Sequence, residues 1–408
     1  MSRKWAEREA PIWVEKGIVT REQADAIVAL YVGRGSMLGV LPLLGSVLVG
    51  LGILSFVAAN WQEIPQLVRL LFIAAVMVGF YAGGESFVRS GQQKLGIALI
   101  GLGVISFGAG IILIGQMFHM VAYDATSFIL WASAGAAAAY LYKSRYLYIL
   151  SIALFNIAQW YSVSQFDGFS YVCFTVMVLA LGLYAWRSSS TLLLLLFSLS
   201  VSLQSLMWAL SAELKASWML IPMMALYALG DWLPERRRSF ALQASPLASV
   251  FLFNVVLVMT HDWTGVGIRE DIVAEPFSYI GLLLFVLVVS LAGKYYRGSL
   301  PSAFEWVLLL PFMYVPQGMG LLYLLGLFVF SLGVLWRGYA EGWSFKVNFG
   351  TVLFVGTALV AYSKLTWNFM DKSLFFILGG MLLIGLSWFL NRRNKQVLSE
   401  VKGGSGDD

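Results

Sequence analysis

Cysteine is almost missing from this chain. The one present, Cys173, lies in an apolar run, so no intrachain disulfide can form and the redox state of the compartment leaves no mark. Histidine is nearly as scarce, with His119 and His261 the two in 408 residues. There is no HExxH and no Cys/His cluster, so the familiar zinc signatures are absent. No glycine-rich loop ends in Gly-Lys-Ser or Gly-Lys-Thr, and the glycine pairs at 101–103 and 265–267 lack the rest of a dinucleotide fingerprint. No Ser, His and Asp set can be assembled, and no cofactor is expected. Charge is sparse as well: Asp, Glu, Lys and Arg make up 12% of the residues and apolar residues 59%, against about 25% and ~45–50% in an average soluble chain. A soluble domain could not hide that much apolar surface, so lipid is the solvent for most of it. The first 36 residues are polar and hold Glu7, Glu9, Glu15, Glu22 and Asp25, so a cleavable signal peptide is not expected there.

What is present in quantity is long apolar segments. Their positions predict an all-α polytopic bundle with spans near 37–59, 67–88, 95–115, 125–142, 146–161, 169–186, 190–210, 216–232, 243–260, 277–293, 301–316, 318–336, 345–362 and 373–390. Helices satisfy every backbone amide within the segment, as lipid requires, and the runs are continuous rather than alternating as barrel strands would be. The segments at 146–161 and 301–316 are the weakest, the second carrying Pro301, Pro311 and Pro316; without both the count is twelve. With the N-terminus inside, 22 of the 27 Lys and Arg fall on the inner side, which predicts both ends in the cytosol. The net charge of +5 therefore reports orientation rather than nucleic-acid affinity. The expected organisation is a cytosolic helical segment at 1–36, a transmembrane domain at 37–391 and a basic, flexible tail at 392–408.

Two glycine rows mark the third span. Gly96, Gly103 and Gly110 form one, and Gly101, Gly108 and Gly115 the other. A seven-residue repeat is nearly two helical turns, so each row is a stripe, and the two lie about 140° apart. Both sides of this helix are expected to touch neighbours closely. Ahead of the spans, Thr20-Arg21-Glu22-Gln23 fits a capping box, with Ala24, Ile27, Val28 and Tyr31 forming an apolar face behind it and Gly17 suited to ending the preceding helix. This pair is too small to fold alone and is expected to dock on the membrane face or a partner.

The stretch Trp13-Val14-Glu15-Lys16-Gly17-Ile18-Val19-Thr20 with Glu22-Gln23-Ala24 resembles the opening of a bacterial membrane-protein family known as domain of unknown function 2157. Phe56-Val57-Ala58-Ala59-Asn60-Trp61, and Gly108-Ala109-Gly110 through Gly115-Gln116-Met117-Phe118-His119, are similar to it as well. The resemblance spans about the first 125 residues. It implies a bacterial membrane protein and supplies no activity or catalytic residues.

Candidate chemistry gathers at the expected outer ends of the helices. His119 and His261 map there, with Asn60, Trp61, Glu63, Gln116, Asp124, Asp262, Asp271 and Glu275. Such a patch can bind a headgroup or solute, hold a metal through two imidazoles and a carboxylate, or simply meet water; Trp61 and Trp263 also suit an interfacial belt. Asn60, Trp61, Gln116 and His119 are the expected substrate-binding residues at the outer mouth, with Glu85 as an inner polar gate. Glu85 and Glu305 are ionisable groups near the inner ends of spans, where Arg89, Lys294 or Arg297 can pair with them; Asp231 reads as structural. The leading functional expectation is an inner-membrane protein that moves or accommodates a small or lipid-like substrate. The alternatives are an envelope factor binding a partner through its N-terminal helices and an intramembrane transferase acting on a lipid-linked substrate.

Overall fold

The computed structural model describes residues 9–11, 13–17, 19–24, 41–58, 65–188, 190–260, 273–314, 320–366, 377 and 381. Among them every regular element is helical. The elements are α1 (Leu41–Ala58), α2 (Gln66–Arg89), α3 (Gln93–Met117), α4 (Thr126–Tyr142) and α5 (Arg145–Phe166). There follow α6 (Tyr171–Met177), a π-helical turn (Val178–Gly182) and α7 (Leu183–Arg187), then α8 (Thr191–Ser211). A 3-10 turn (Ala216–Met219) leads into α9 (Leu220–Asp231), followed by α10 (Arg236–Thr260) and α11 (Pro276–Tyr296). Two 3-10 segments (Leu300–Leu309 and Phe312–Tyr314) precede α12 (Gly320–Ala340) and α13 (Ser344–Thr366). Each segment expected from hydropathy up to residue 366 coincides with helical structure; the segment at 373–390 lies outside the described residues apart from 377 and 381. Among the described residues eight helices are long and apolar enough to cross a membrane. They turn leucine, valine and phenylalanine outward, as at Leu71, Leu199, Leu252 and Phe285. Apolar faces of that extent fit contact with acyl chains and would be a liability in water.

The chain divides within α5 into two compact units, Met1–Leu154 and Phe155–Asp408. The first is organised around α3. Gln66 at the start of α2 donates to the Met117 carbonyl at the end of α3 (3.0 Å), so these two helices run antiparallel. One glycine row faces α2: a Cβ at Gly96 would lie 2.6 Å from the Gly84 carbonyl, one at Gly103 3.1 Å from the Tyr81 ring, and one at Gly110 3.2 Å from Ile73. The other row faces elsewhere. A Cβ at Gly101 would lie 2.6 Å from Tyr146 of α5, and one at Gly108 would fall inside the indole of Trp131 on α4. Gly115 alone has open space. Trp131 is fixed over Gly108 by its Nε1, which donates to the Val104 carbonyl (2.8 Å). The hydroxyls of Tyr146 and Ser46 lie 2.7 Å apart, tying α1 to α5. Ahead of α1, the Thr20 amide donates to Gln23 Oε1 (3.0 Å) and the Gln23 amide to Thr20 Oγ1 (3.3 Å), which is the reciprocal pairing of a capping box. Gly17 ends the preceding turn with φ +67°, a conformation that favours glycine. Ile27, Val28 and Tyr31 lie outside the described residues.

The second unit packs α9, α10, α11, α12 and the 3-10 segments about one apolar core that includes Met224, Val250, Phe253, Tyr279, Leu327 and Phe330. Pro246 sits inside α10, where it has no N–H to give the Leu242 carbonyl. Ser198 Oγ of α8 donates to that carbonyl instead (2.8 Å). The Leu300–Tyr314 stretch is tighter than the α-helix expected there. A 3-10 helix rises about 2 Å per residue rather than ~1.5 Å, so the Leu300–Leu309 segment reaches roughly 20 Å before the chain breaks out of the helix at Leu310. Asn254 of α10 holds the Leu308 carbonyl (2.6 Å) and Trp306 Nε1 reaches Ser290 of α11 (3.0 Å), so neighbours satisfy and anchor this irregular backbone.

Candidate functional site

Charged side chains meet inside the second unit. Lys294, in the last turn of α11, is fully buried, and Asp231, Glu305 and Tyr227 are buried around it. The Lys294 ammonium spends all three of its protons: on Asp231 Oδ1 (2.7 Å), on the Tyr227 hydroxyl (2.8 Å) and on Ser302 Oγ (2.8 Å). Ser302 passes its own proton to the Ser299 carbonyl (2.8 Å). Tyr227 donates to Glu305. Asp231 also accepts from Gln243 Nε2 (2.7 Å) and, at its second oxygen, from Ser290 Oγ (2.5 Å). Donors therefore run in one sense from Lys294 through Tyr227 to Glu305, with Asp231 closing the other side. The ammonium also lies 4.8 Å from the centre of the Tyr227 ring, whose face attracts cations.

Four elements supply these groups: α9 gives Tyr227 and Asp231, α11 gives Ser290 and Lys294, the 3-10 segment gives Ser302 and Glu305, and α10 gives Gln243. Tyr227 and Asp231 are four residues apart, so one face of α9 presents both. A second ionic cluster adjoins. Glu341, just beyond α12, pairs with Arg337 (2.8 Å), Lys346 (3.4 Å) and Arg236. Burial pushes the Glu341 carboxyl up, but Lys346, Arg337 and Arg236 outweigh burial and hold it below the usual glutamate range. Lys346 also feels the charge of Glu305, and Tyr227 that of Arg337, so the two clusters are electrostatically linked.

Of the residues expected at the outer mouth, Asn60, Trp61, Glu63, His261, Asp262, Trp263 and Asp271 lie outside the described residues. Gln116 and His119 are both exposed at the end of α3. His119 has φ +52°; its amide donates to the Gln116 carbonyl (3.4 Å), and the Met120 amide donates to the Gly115 carbonyl (2.9 Å). That is a Schellman ending with histidine in the position glycine usually fills. His119 thus has a backbone role that its spacing did not disclose. Nearby, the Thr126 amide donates to Asp124 Oδ1 (2.9 Å), which keeps the Asp124 carboxyl below its usual range. Glu85 accepts from Arg89 Nε (2.7 Å) and from the Tyr142 hydroxyl (2.8 Å), so Arg89 is its partner. Among the described residues no three His, Cys, Asp or Glu side chains group to hold a metal ion.

Residues 11–148 match the family model described as predicted membrane protein, DUF2157. The DUF2157 match covers about a third of the chain, runs past the stretch in which the resemblance is visible by eye, and ends near the boundary of the first unit. No curated protein and no solved structure matches the chain. Glu85, Gln116 and His119 fall within the DUF2157 match; the Lys294 network lies wholly beyond it. Sequence alone offers Lys294 as one of three bases able to pair with Glu85 or Glu305, and the structure interposes the Tyr227 hydroxyl between Lys294 and Glu305. What sequence reading missed was Tyr227, Ser290, Ser302 and Gln243, and the centrality of Asp231. The available signal was Tyr227 and Asp231 on one face of an otherwise apolar helix.

One further polar group lies in the second unit. Asn156 Nδ2 donates to Ser200 Oγ (2.7 Å), while Ser200 and Gln204 both donate to the thioether of Met177 (3.1 and 3.0 Å). Gln204 is fully buried, and among the described residues its Oε1 has no donor. The π turn begins at the residue after Met177, and such turns recur at functional positions in helices.

Proposed function

We propose that this is a fourteen-span bacterial inner-membrane protein, with both ends in the cytosol, that moves a small or lipid-like solute and couples that movement to protons. The observation that carries the reading is the Asp231–Lys294–Tyr227–Glu305 network, because ionisable groups inside lipid-embedded helices are costly and concentrate where ions or protons are handled. The bare Gln204 carbonyl oxygen and the adjoining π turn support a solute contact in the same unit. Asn60, Trp61, Gln116 and His119 are proposed to line the outer mouth, and Glu85 to act as an inner gate. The antiparallel α2–α3 pair supports this, since it puts Gln66 at the same end as His119. The organisation proposed is 1–36 as a cytosolic helical segment, 37–391 as the membrane domain and 392–408 as the tail. The Thr20–Gln23 capping box favours a second reading, in which the N-terminal segment recruits a protein partner.

Proton handling is tested in proteoliposomes that contain a pH-sensitive dye and are driven by a potassium diffusion potential. Vesicles with the full chain should acidify faster than empty ones, and Glu305→Gln, which keeps shape and hydrogen-bonding atoms, should bring the rate down to that of empty vesicles. Equal rates with and without protein would overturn the coupling. For topology, Gly267→Cys should react with an impermeant reagent in intact cells while Ser405→Cys does not, both in a Cys173→Ala background; the opposite labelling would reject the orientation.

A further inference from the structure

The strongest unassigned surface is the end of the second unit that carries Arg236–Arg238. Arg238 donates to the Trp186 carbonyl, and its guanidinium stands 5.3 Å from the centre of the Trp186 ring. Arg297 donates to the Trp232 carbonyl, and Trp232 stacks on Tyr296 at 6.4 Å. Both guanidiniums are spent on neutral carbonyls, so their charge is not cancelled. Arg237, between Arg236 and Arg238, is exposed, and no salt bridge is formed by it among the described residues. Arg236, by contrast, is matched by Glu341. Among the described residues no carboxylate pairs with Arg237, Arg238 or Arg297, and Trp186, Trp232 and Tyr296 form an aromatic rim beside Arg238 and Arg297 at the ends of α7, α9 and α11. Exposed Leu183 and Leu229 lie one turn or less from Trp186 and Trp232 along α7 and α9, so the rim borders surface suited to acyl chains.

We infer that this rim binds the phosphodiester headgroup of an anionic phospholipid through Arg237, Arg238 and Arg297, with its acyl chains lying over the adjoining leucines. Guanidinium forks fit a phosphate's oxygens in pairs, and tryptophan and tyrosine belong at headgroup depth. A soluble phosphate would use the same forks but has no use for the apolar border, which is why a lipid is the occupant. The inference rests on the protein being embedded in a membrane and stands whether or not it moves a solute.

The test is native mass spectrometry of the purified full chain in detergent with equimolar phosphatidylglycerol and phosphatidylcholine. Phosphatidylglycerol adducts should dominate, and each of Arg237→Gln, Arg238→Gln and Arg297→Gln should lower their retention about five-fold. Arg69→Gln, in the first unit, should leave it unchanged. Equal retention of the two lipids by the unaltered protein overturns the proposal without reference to any variant. So does undiminished phosphatidylglycerol binding in the triple variant. Complete displacement of phosphatidylglycerol by millimolar glycerol 3-phosphate would show a site for soluble phosphate and reject the lipid.

Discussion

The two units solve the same problem, holding helices together in lipid, by opposite means. The first removes side chains: along α3, glycine lets α2 approach until the Gly84 and Gly96 backbones touch, and lets Trp131 and Tyr146 lie on the helix surface. The second adds polar side chains: Lys294, Asp231, Tyr227 and Glu305, with Gln243, tie four elements together through hydrogen bonds near their ends. Hydrophobic burial does not drive helices together in lipid, so close packing and polar contacts are what remain. Backbone packing is short-ranged and tolerates no added volume. An ionic network tolerates volume but not the loss of a partner. The first suits a rigid frame, and the second makes stability depend on every ion keeping its partner.

The comparison is most sharply tested at Lys294. Lys294→Met should destabilise the protein by about 3–5 kcal/mol, because it leaves Asp231 buried beside no cation. Adding Asp231→Asn should recover part of the lost melting temperature in detergent. A single variant as stable as the parent would mean that the network contributes little to the second unit. Next comes the glycine frame. Gly108→Leu should cost about 1–3 kcal/mol or more, since even its first carbon collides with Trp131. Gly115→Leu, seven residues further along the same row but facing open space, should melt like the parent. Equal melting of both leucine variants would remove α3 as a contact helix. The smallest effect is acidic. The Glu341 carboxyl is held below its usual range, so its ion pairs add stability that is complete above the unfolded value of ~4.3 and is lost as pH falls through the lower folded value. The melting gap between the parent and Glu341→Gln should therefore be open at neutral pH and close in acid; a gap that widens in acid would contradict the assignment.

How far each unit could be read from sequence follows from the same contrast. Glycine periodicity is local, so the two stripes of α3 were visible in the chain and met the expected two sides, with Gly115 the exception because no described atom lies within 4 Å of where its Cβ would stand. The capping box is local too. The Lys294 network joins residues up to 78 positions apart, as between Tyr227 and Glu305, and its ions sit where charges ordinarily mark loop ends. From sequence, Asp231 next to Arg236 and Lys294 next to Arg297 look like orientation signals. Only the folded packing of α9, α11 and the 3-10 segment turns them inward. His119 shows the converse: a residue type rich in chemistry occupies a position defined by a backbone angle.

Pro246 bears on the order of assembly. It leaves α10 with a carbonyl at Leu242 that its own helix cannot satisfy, and in the bilayer no water is at hand to do so. The donor, Ser198, belongs to α8, which precedes α10 in the sequence and so emerges from the ribosome first. When α10 enters the membrane, the partner that completes it has already been made. Synthesis in the order of the chain thus spares α10 any interval with an orphaned carbonyl, whereas a rearranged gene that encoded α10 ahead of α8 would impose one on every copy made.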